Sequence, residues 1–341
     1  MSCPLDRAPV LVAVDSRETA SASGHSGAVD GVWLPESVAS SAFTVAEARR
    51  HEVPMWRLRA PHLVSPTRAV RMLRAPTTTS QRARAFALAL PADAAFSHLT
   101  AAHLWGLDLP VPHAVDDVLH VMRPSGKSRT RREGCQGHRG LERRRVVRVS
   151  GLRVTGLADT WLDLAELSAP AFGLDDLVVA GDQVATRRVG PPEPGTGFVD
   201  RAAGVLAMAR ALDARVRPRG ATMLREALGL VRAPVRSPME TRARLMFLRS
   251  GLPEPEVNAA VHGRDGQWLL EGDLVWRRQR VVGEYQGSDH ASISRRSYDA
   301  HRTAVAADEG WQVLEIYADD VYRPAQRADC VRRFARALGL G

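Results

Sequence analysis

Lysine is almost absent from this sequence, which contains 46 arginines and a single lysine, Lys127. Any mechanism that needs a lysine outside the middle of the chain is therefore excluded. Cysteine is also scarce: Cys3, Cys135 and Cys330 are far apart and odd in number, so no disulfide framework is expected. No apolar run approaches the ~20 residues that span a bilayer, which argues against a membrane partner. The N-terminal segment has no basic start of the kind found in secretory signals, so we expect a cytoplasmic protein.

The excess positive charge is concentrated in one segment. The net charge is +9, and residues 123–148 contain ten basic and two acidic residues. From residue 236 to the end the charges almost balance, with 16 basic and 15 acidic residues. Such a run is commonly a solvated loop, but it also offers the cations that contact nucleic-acid phosphates. In the second interpretation the partner is DNA, and the contacts come from Lys127, Arg129, Arg131 and Arg132.

The pattern of apolar runs, prolines and glycines predicts a mixed α/β (α+β) chain with several units. We expect a winged helix-turn-helix-like region over residues 1–80 and a small α/β domain over 81–186. A Pro/Gly-rich linker with two helices follows over 187–235, and a last α/β domain covers 236–341.

Residues 43–75 have the features of a helix-turn-helix unit. Thr44 followed by Glu47 is a capping-box signature for a first helix over Val45–His51. A second helix is expected over Trp56–Arg59, and a short β-wing over Leu63–Leu73. The DNA contacts of this unit would come from Arg57 and Arg59.

The last domain shows an order of elements that brings acidic residues together. A helix is predicted from Ser237, which is a favourable N-cap followed by proline. Three strands, a helix, a strand and a terminal helix follow. The 11-residue separation of Asp273 from Glu284 fits a hairpin of adjacent strands, which would place both carboxylates near one end of the sheet. Taken singly, Asp273 is equally typical of a strand-end turn and Glu284 of an exposed strand edge.

Two carboxylates at one sheet edge suit phosphodiester hydrolysis. Carboxylate oxygens are hard ligands of the kind that Mg²⁺ or Mn²⁺ binds. Such a metal polarises a phosphoryl group and lowers the pKa of water, and a third polar side chain, here Gln286, would orient the attacking water.

The segments SPMETRARL, GLPEPEVN, GDLVW, VVGEYQG, YDAHR and GWQVLEIYADDV, in this order, resemble the Vsr-like endonuclease-related family DUF559. The resemblance covers roughly residues 236–338 and implies a restriction-endonuclease-like α/β domain of the PD-(D/E)xK type. It implies that Asp273 and Glu284 are paired metal ligands and that Glu240 is the acidic residue of the first helix. His290 matches a histidine that commonly follows the glutamate strand, and Asp299 and Arg302 match a polar pair on the next helix.

The sequence departs from the nuclease pattern at its lysine position, which is Gln286. Glutamine can hydrogen-bond a water but supplies no positive charge for the transition state. That charge must come from the metal or from an arginine, and the candidates are Arg295, Arg296 and Arg302. A His290 side chain would contact the phosphate or assist as a general acid, although it is equally typical of a surface loop.

A second, partly compositional resemblance covers the front of the chain. The stretches FTVAEARRHEVPMWRLR and SHLTAAHLWGLDLP are similar to AbiEi-like modules, described as type IV antitoxins or transcriptional regulators. This resemblance implies a winged helix-turn-helix and, as protein partners, a cognate toxin or a second copy of the chain.

Two function classes follow from these observations. The first is a metal-dependent DNA endonuclease in which Asp273, Glu284, Gln286 and His290 are catalytic. The second is a DNA-binding regulator or antitoxin-like protein whose nuclease-fold domain has lost turnover. A zinc site is not expected, because Cys135 and His138 form a single pair with no second pair at suitable spacing.

Overall fold

The computed structural model describes residues 42–109, 118–167, 172–187, 202–287 and 304–341. Within these ranges the protein is a mixed α/β chain with one two-stranded, one four-stranded and one five-stranded sheet. The apolar run Val10–Val14, which is typical of a strand, lies outside the described residues. No helix in the described ranges is long and apolar enough to cross a bilayer.

The first unit is small. It contains β1 (Phe43–Thr44), α1 (Val45–Arg50) and β2 (Val70–Arg71), and the two strands pair antiparallel. Thr44 caps α1, because its Oγ1 accepts a hydrogen bond from the Glu47 amide at 3.0 Å.

The prediction of a second α-helix over Trp56–Arg59 is wrong: the chain makes only a 3-10 turn over Arg57–Arg59. Ala60 precedes Pro61 and is extended (φ −60°, ψ 141°). A residue before proline is pushed out of the helical region, so the turn cannot lengthen into a recognition helix. In the expected wing region, β2 and an isolated bridge between Val64 and Met72 are present.

A five-stranded sheet forms the next layer. Its elements, in chain order, are α2 (Thr79–Ala87), β3 (Ala95–Phe96), α3 (His98–Leu104), β4 (Leu119–Arg123), β5 (Cys135–Arg139), β6 (Val146–Val149) and β7 (Leu152–Thr155). The strand order in the sheet is β5-β4-β3-β7-β6. The core of this layer contains Phe86, Phe96, Leu119 and Val154.

A layer of four helices follows this sheet. They are α4 (Leu157–Leu164), α5 (Leu174–Thr186), α6 (Ala203–Asp213) and α7 (Ala221–Leu230). They share one apolar core with the fully buried Trp161 inside it, and the Trp161 indole N–H donates to the Leu177 carbonyl at 2.8 Å. Leu245, from the next helix, belongs to the same core, so the last domain packs directly on this layer.

The last unit contains a four-stranded sheet. Its elements are α8 (Pro238–Arg249), β8 (Glu256–His262), β9 (Trp268–Trp276), β10 (Val281–Tyr285), β11 (Gln312–Ile316), α9 (Ala318–Tyr322) and α10 (Pro324–Ala337). The strand order is β11-β10-β9-β8. The β8–β9 and β9–β10 pairs are antiparallel and the β10–β11 pair is parallel. One core contains Phe247, Trp276 and Phe334, and a second contains Val282 and Trp311. The first helix, the four strands and the terminal helix occur in the predicted order, whereas the short helix α9 was not predicted. The helix expected over about residues 295–309 lies largely outside the described residues.

Candidate metal centre

Asp273 and Glu284 come from neighbouring antiparallel strands. The β9–β10 register ends with the pair Gly283 and Leu274, so Glu284 and Asp273 occupy the next position, where the ladder stops. On the other side of β9 the register passes from Val257–Leu274 to Ala259–Gly272, leaving Asn258 beside Asp273. Asn258 has a φ of 43°, in the left-handed region, so β8 is locally distorted at this point.

Asp273 lies in a half-buried position beside other acidic residues. Its Oδ2 accepts a hydrogen bond from the Tyr285 amide at 2.8 Å. Burial, and next the charge of Glu240, raise the pKa of Asp273 to about 6, against the opposing effects of that amide and of Arg236. A neighbouring carboxylate disfavours the charged form of Asp273, and a bound cation would offset the repulsion between the two groups.

Glu240 lies in the first turn of α8 and is only 5% exposed. Ser237 caps this helix, since its Oγ accepts from the Glu240 amide at 3.2 Å. The Glu240 Oε2 atom accepts hydrogen bonds from Asn258 Nδ2 at 2.6 Å and from the Arg236 amide at 3.0 Å. The favourable helix N-terminus explains part of this placement, but the bond to Asn258 also ties the glutamate to the distorted part of β8.

Glu284 is half-buried, and its side chain extends over β9. A Cβ atom at Gly272 would lie 3.7 Å from Glu284 Oε1 and 2.6 Å from a methyl of Val282. Because real Cβ atoms do not approach a methyl group that closely, Gly272 is needed for this close packing. Gln286 is exposed just beyond β10, and its backbone N–H donates to the Ile316 carbonyl at 2.8 Å.

The structure brings Asp273 and Glu240 into electrostatic contact and places Glu284 beside Gly272. It does not bring one oxygen from each of the three carboxylates within 4.8 Å of the other two. Among the described residues, the one group of three or more candidate ligands that meets this distance is His98, His120 and His138. The oxygen donors fit Mg²⁺ or Mn²⁺ chemically, and side chains would have to move for all three carboxylates to bind one ion.

Several predicted site residues lie outside the described residues. They are His290, Arg295, Arg296 and Arg302, together with the Asp299 of the family pattern.

The arginines and the lysine predicted to contact DNA fall into two groups. Arg59, Lys127, Arg129 and Arg131 are exposed. Arg57 is half-buried, with its guanidinium 5.1 Å from the ring centre of Trp56, a side chain that is 69% exposed.

Arg132 differs from its neighbours. It donates to Thr67 Oγ1 at 3.0 Å, to the Arg68 carbonyl at 2.8 Å and to the Ala89 carbonyl at 3.2 Å. These bonds join the basic segment to the first unit and to the chain that follows α2. The predicted contact of Arg132 with DNA stays a prediction.

Sequence reasoning missed the histidine cluster. The pair formed by Cys135 and His138 drew attention to this segment, but the partners of His138 are His98 and His120. These two precede His138 by 40 and 18 residues, and no short motif encodes such separations.

The chain is 34% identical over 122 residues to uncharacterized proteins from two strains of Mycobacterium tuberculosis. The matched stretch is 35% of this chain and 44% of each relative, so the chain spans less than half the length of the curated relatives it matches. No protein-family model matches the chain. No solved structure matches it either.

Proposed function

We propose that this protein is a divalent-metal-dependent phosphodiesterase that cleaves DNA as an endonuclease. The observation that carries the proposal is the half-buried Asp273, whose pKa is raised to about 6 by burial and by Glu240 at the point where β9 and β10 separate. Keeping two carboxyl groups together in a poorly solvated position costs free energy, and a bound cation is a common compensation.

The topology of the last unit supports this function. The last unit has a helix, three antiparallel strands, a fourth strand parallel to the third and two closing helices. The resemblance to PD-(D/E)xK enzymes implies an α/β domain with its site on such a sheet. In that arrangement the acidic residues of the first helix and of the two central strands belong to one site, which matches the origins of Glu240, Asp273 and Glu284.

The residue roles follow from the chemistry of each group. Asp273, Glu284 and Glu240 would hold the ion through carboxylate oxygens, and a bound Mg²⁺ or Mn²⁺ would polarise the phosphoryl group. Gln286 would hold the attacking water by a hydrogen bond from its exposed position after β10. His290 would contact the phosphate or protonate the leaving oxygen.

DNA would be held mainly by its phosphates. The exposed side chains of Arg59, Lys127, Arg129 and Arg131 can each neutralise a phosphate, and Arg57 would add a contact beside Trp56. In this proposal Arg295, Arg296 and Arg302 supply the positive charge that Gln286 lacks.

A second function, DNA binding without turnover, is favoured by one specific observation. One oxygen from each of the three carboxylates does not lie within 4.8 Å of the other two in the described structure, and Gln286 provides no cation. In this alternative the chain is a regulator or an antitoxin-like protein with a winged helix-turn-helix-like front and a cognate toxin or second copy as partner.

The deciding experiment is cleavage of plasmid and linear DNA by the full chain in Mg²⁺ or Mn²⁺. The variants are Asp273→Asn and Glu284→Gln, and the matched control is Asp308→Asn, an exposed carboxylate of the same domain. The endonuclease predicts cleavage by wild type and control that falls at least ~100-fold in both site variants.

Other outcomes separate the two functions. Cleavage that persists equally in both site variants would assign the activity to a contaminant or to another site. Absence of cleavage on every substrate, with tight and salt-sensitive DNA binding, would reject the enzyme and support the regulator.

A further inference from the structure

Three histidines from distant parts of the chain meet on one face of the five-stranded sheet. His98 begins α3 directly after β3, His120 lies on β4 and His138 lies on β5. These strands are neighbours, and the parallel β4–β5 register pairs His120 with Gln136, two residues before His138. Because residues two apart on a strand share a face, His120 and His138 project from the same side of the sheet.

The three rings are close enough to share a ligand. His120 Nδ1 and His138 Nε2 are 3.0 Å apart. The ring centres are separated by 3.8 Å for His98–His138, 5.1 Å for His120–His138 and 5.4 Å for His98–His120. One nitrogen from each ring lies within 4.8 Å of the other two. In tetrahedral geometry, nitrogens ~2.0–2.1 Å from a zinc ion are ~3.4 Å from one another. The rings are stacked, with interplanar angles of 12° to 29°, so they would have to turn for their nitrogen lone pairs to converge on one ion.

A buried ring nitrogen of His98 is a second, independent observation that points to a ligand. Its side chain is only 1% exposed, and its Nδ1 is bonded to Ser97 Oγ at 2.9 Å. The remaining nitrogen, Nε2, is buried and has no hydrogen-bond partner. Its nearest carboxylate oxygen, on Glu166, is 3.9 Å away, too far for a hydrogen bond. A buried polar atom without a partner costs free energy that a metal bond would recover.

His98 also has a backbone φ of 50°, in the left-handed region. A non-glycine residue held there stores strain, which the surrounding packing has to offset.

One carboxylate lies beside the cluster. Glu166 Oε2 is 3.9 Å from His98 Nε2, and the other oxygen of Glu166 is paired with Arg144 at 3.2 Å. Neutral imidazole is the form that binds metal, and a carboxylate close to the rings supplies a counter-charge for a bound cation.

The cluster is reachable from solvent. His138, Glu166, Arg129 and Arg219 line both of two cavities, of about 470 and 300 Å³. The smaller cavity also reaches His98 and Gly137. An ion therefore has an entry path, and a fourth coordination position can face this opening.

The geometry points to a transition-metal site, most suited to Zn²⁺, formed by His98 Nε2, His120 Nδ1 and His138 Nε2, with an open fourth position toward the cavity. The ion takes the place of the proton that His120 and His138 otherwise share. Imidazole nitrogens select zinc and its neighbours over Mg²⁺, so this site is chemically distinct from the carboxylate centre on β9 and β10.

The test is metal binding by the full chain after treatment with a chelator. The protein is dialysed against Zn²⁺, the metal retained per chain is counted, and its affinity is measured by competition with a chromogenic chelator. One Zn²⁺ per chain is expected in wild type, with affinity at least ~10-fold weaker in His120→Ala and His138→Ala. The matched control is His62→Ala, an exposed histidine of the first unit, which should bind like wild type.

A second measurement does not depend on whether the variants fold. X-ray absorption at the zinc edge of the wild-type protein should show nitrogen and oxygen neighbours at ~2.0–2.1 Å and no sulfur at ~2.3 Å. A sulfur neighbour would implicate Cys135 and overturn the assignment. Less than one retained Zn²⁺ per chain, or undiminished affinity in both folded histidine variants, would also reject the site.

The carboxylate near the cluster gives a finer test. Glu166→Gln removes the negative charge beside His98 while preserving the size of the side chain. Zinc affinity should fall by a smaller factor than in His138→Ala, because a counter-charge is lost and a ligand is not. Equal or greater loss in Glu166→Gln would move the ion away from the three histidines and reject this ligand set.

Discussion

Arg244 and Asp182 form an ion pair between two helices, with Arg244 Nη2 3.0 Å from Asp182 Oδ2 and both side chains completely buried. Arg244 belongs to α8 and Asp182 to α5. Burial raises the pKa of Asp182 to about 6, against the opposing effects of Arg244, the Arg232 amide and the Thr241 hydroxyl. The pair is thus embedded in a network of donors, which is the condition under which a buried ion pair is tolerated.

Removing one member of this pair should be strongly destabilising. Arg244→Met keeps an apolar stem but leaves Asp182 as a buried carboxylate without its cation. We expect a loss of about 3–5 kcal/mol in the free energy of unfolding, measured by denaturant titration. The matched control is Arg249→Ala, which removes an exposed pair with Asp175 on the same two helices and should cost less than about 1 kcal/mol. Equal losses in the two variants would show that burial of the pair is not decisive.

The raised pKa of Asp273 predicts a pH-dependent stability. Its folded value of about 6 lies above the ordinary 3.8, so the folded state binds this proton more tightly than the unfolded state. The stabilising contribution is complete below pH ~3.8 and is lost as the pH rises through about 6. In metal-free buffer, wild type should therefore lose ~2 kcal/mol relative to Asp273→Asn between pH 4 and pH 7. Denaturant unfolding at several pH values measures this difference, and parallel curves for the two proteins would contradict it.

Two helical glycines make a matched test of core packing. A Cβ at Gly181 in α5 would lie 2.5 Å from a methyl of Val231 and 3.0 Å from Trp161 Nε1, whereas one at Gly229 in α7 would meet nothing within 4 Å. Gly181→Ala should destabilise by about 1–3 kcal/mol through overpacking. Gly229→Ala should stabilise by about 0.5–1 kcal/mol, because glycine is a poor helix residue. Thermal unfolding of both variants checks the opposite signs, and two changes of the same sign would contradict the packing described here.

The basic segment should divide into binding and structural arginines. If the chain binds DNA as proposed, Arg129→Ala and Arg131→Ala should each weaken binding at all sequences and reduce the slope of log affinity against log salt by about 1. Arg132→Ala should instead lower the melting temperature, because Arg132 holds Thr67, Arg68 and Ala89. Fluorescence anisotropy over a salt series, with thermal unfolding alongside, separates the two classes. A normal melting temperature with a reduced salt slope in Arg132→Ala would reverse its assignment.

The sequence predicted the last sheet well because its strands are marked locally. The run from Trp268 to Trp276 is bounded by a Gly/Asp turn and an Arg/Gln turn, and the structure places β9 at the same residues. In contrast, β5 consists of Cys135–Arg139 and has few apolar residues, so nothing local marks it as a strand. It is a strand because β4 offers a parallel edge, and such pairing between distant residues overrides local propensity.

In the candidate sites, too, the features marked locally in the sequence were predicted and those set by distant residues were not. The 11-residue separation of Asp273 and Glu284 predicted neighbouring strands, and β9 and β10 do pair antiparallel. The contact between Glu240 and Asn258 depends on a distorted residue in β8, which no pattern of residue types indicates. The histidine cluster depends on the order of β3, β4 and β5 in the sheet, and that order is set by the whole fold.

Glu240 and Arg244 are four residues apart on α8, and therefore about one helical turn from each other. Glu240 points into the acidic centre of the last sheet, and Arg244 forms its ion pair with Asp182 of α5 in the preceding layer. A fragment that begins at residue 236 would keep the acidic residues but leave the Arg244 guanidinium without Asp182. Excision of the last unit would thus expose the face of α8 that packs on α5. The acidic centre would therefore have to be assayed with the preceding helices still attached.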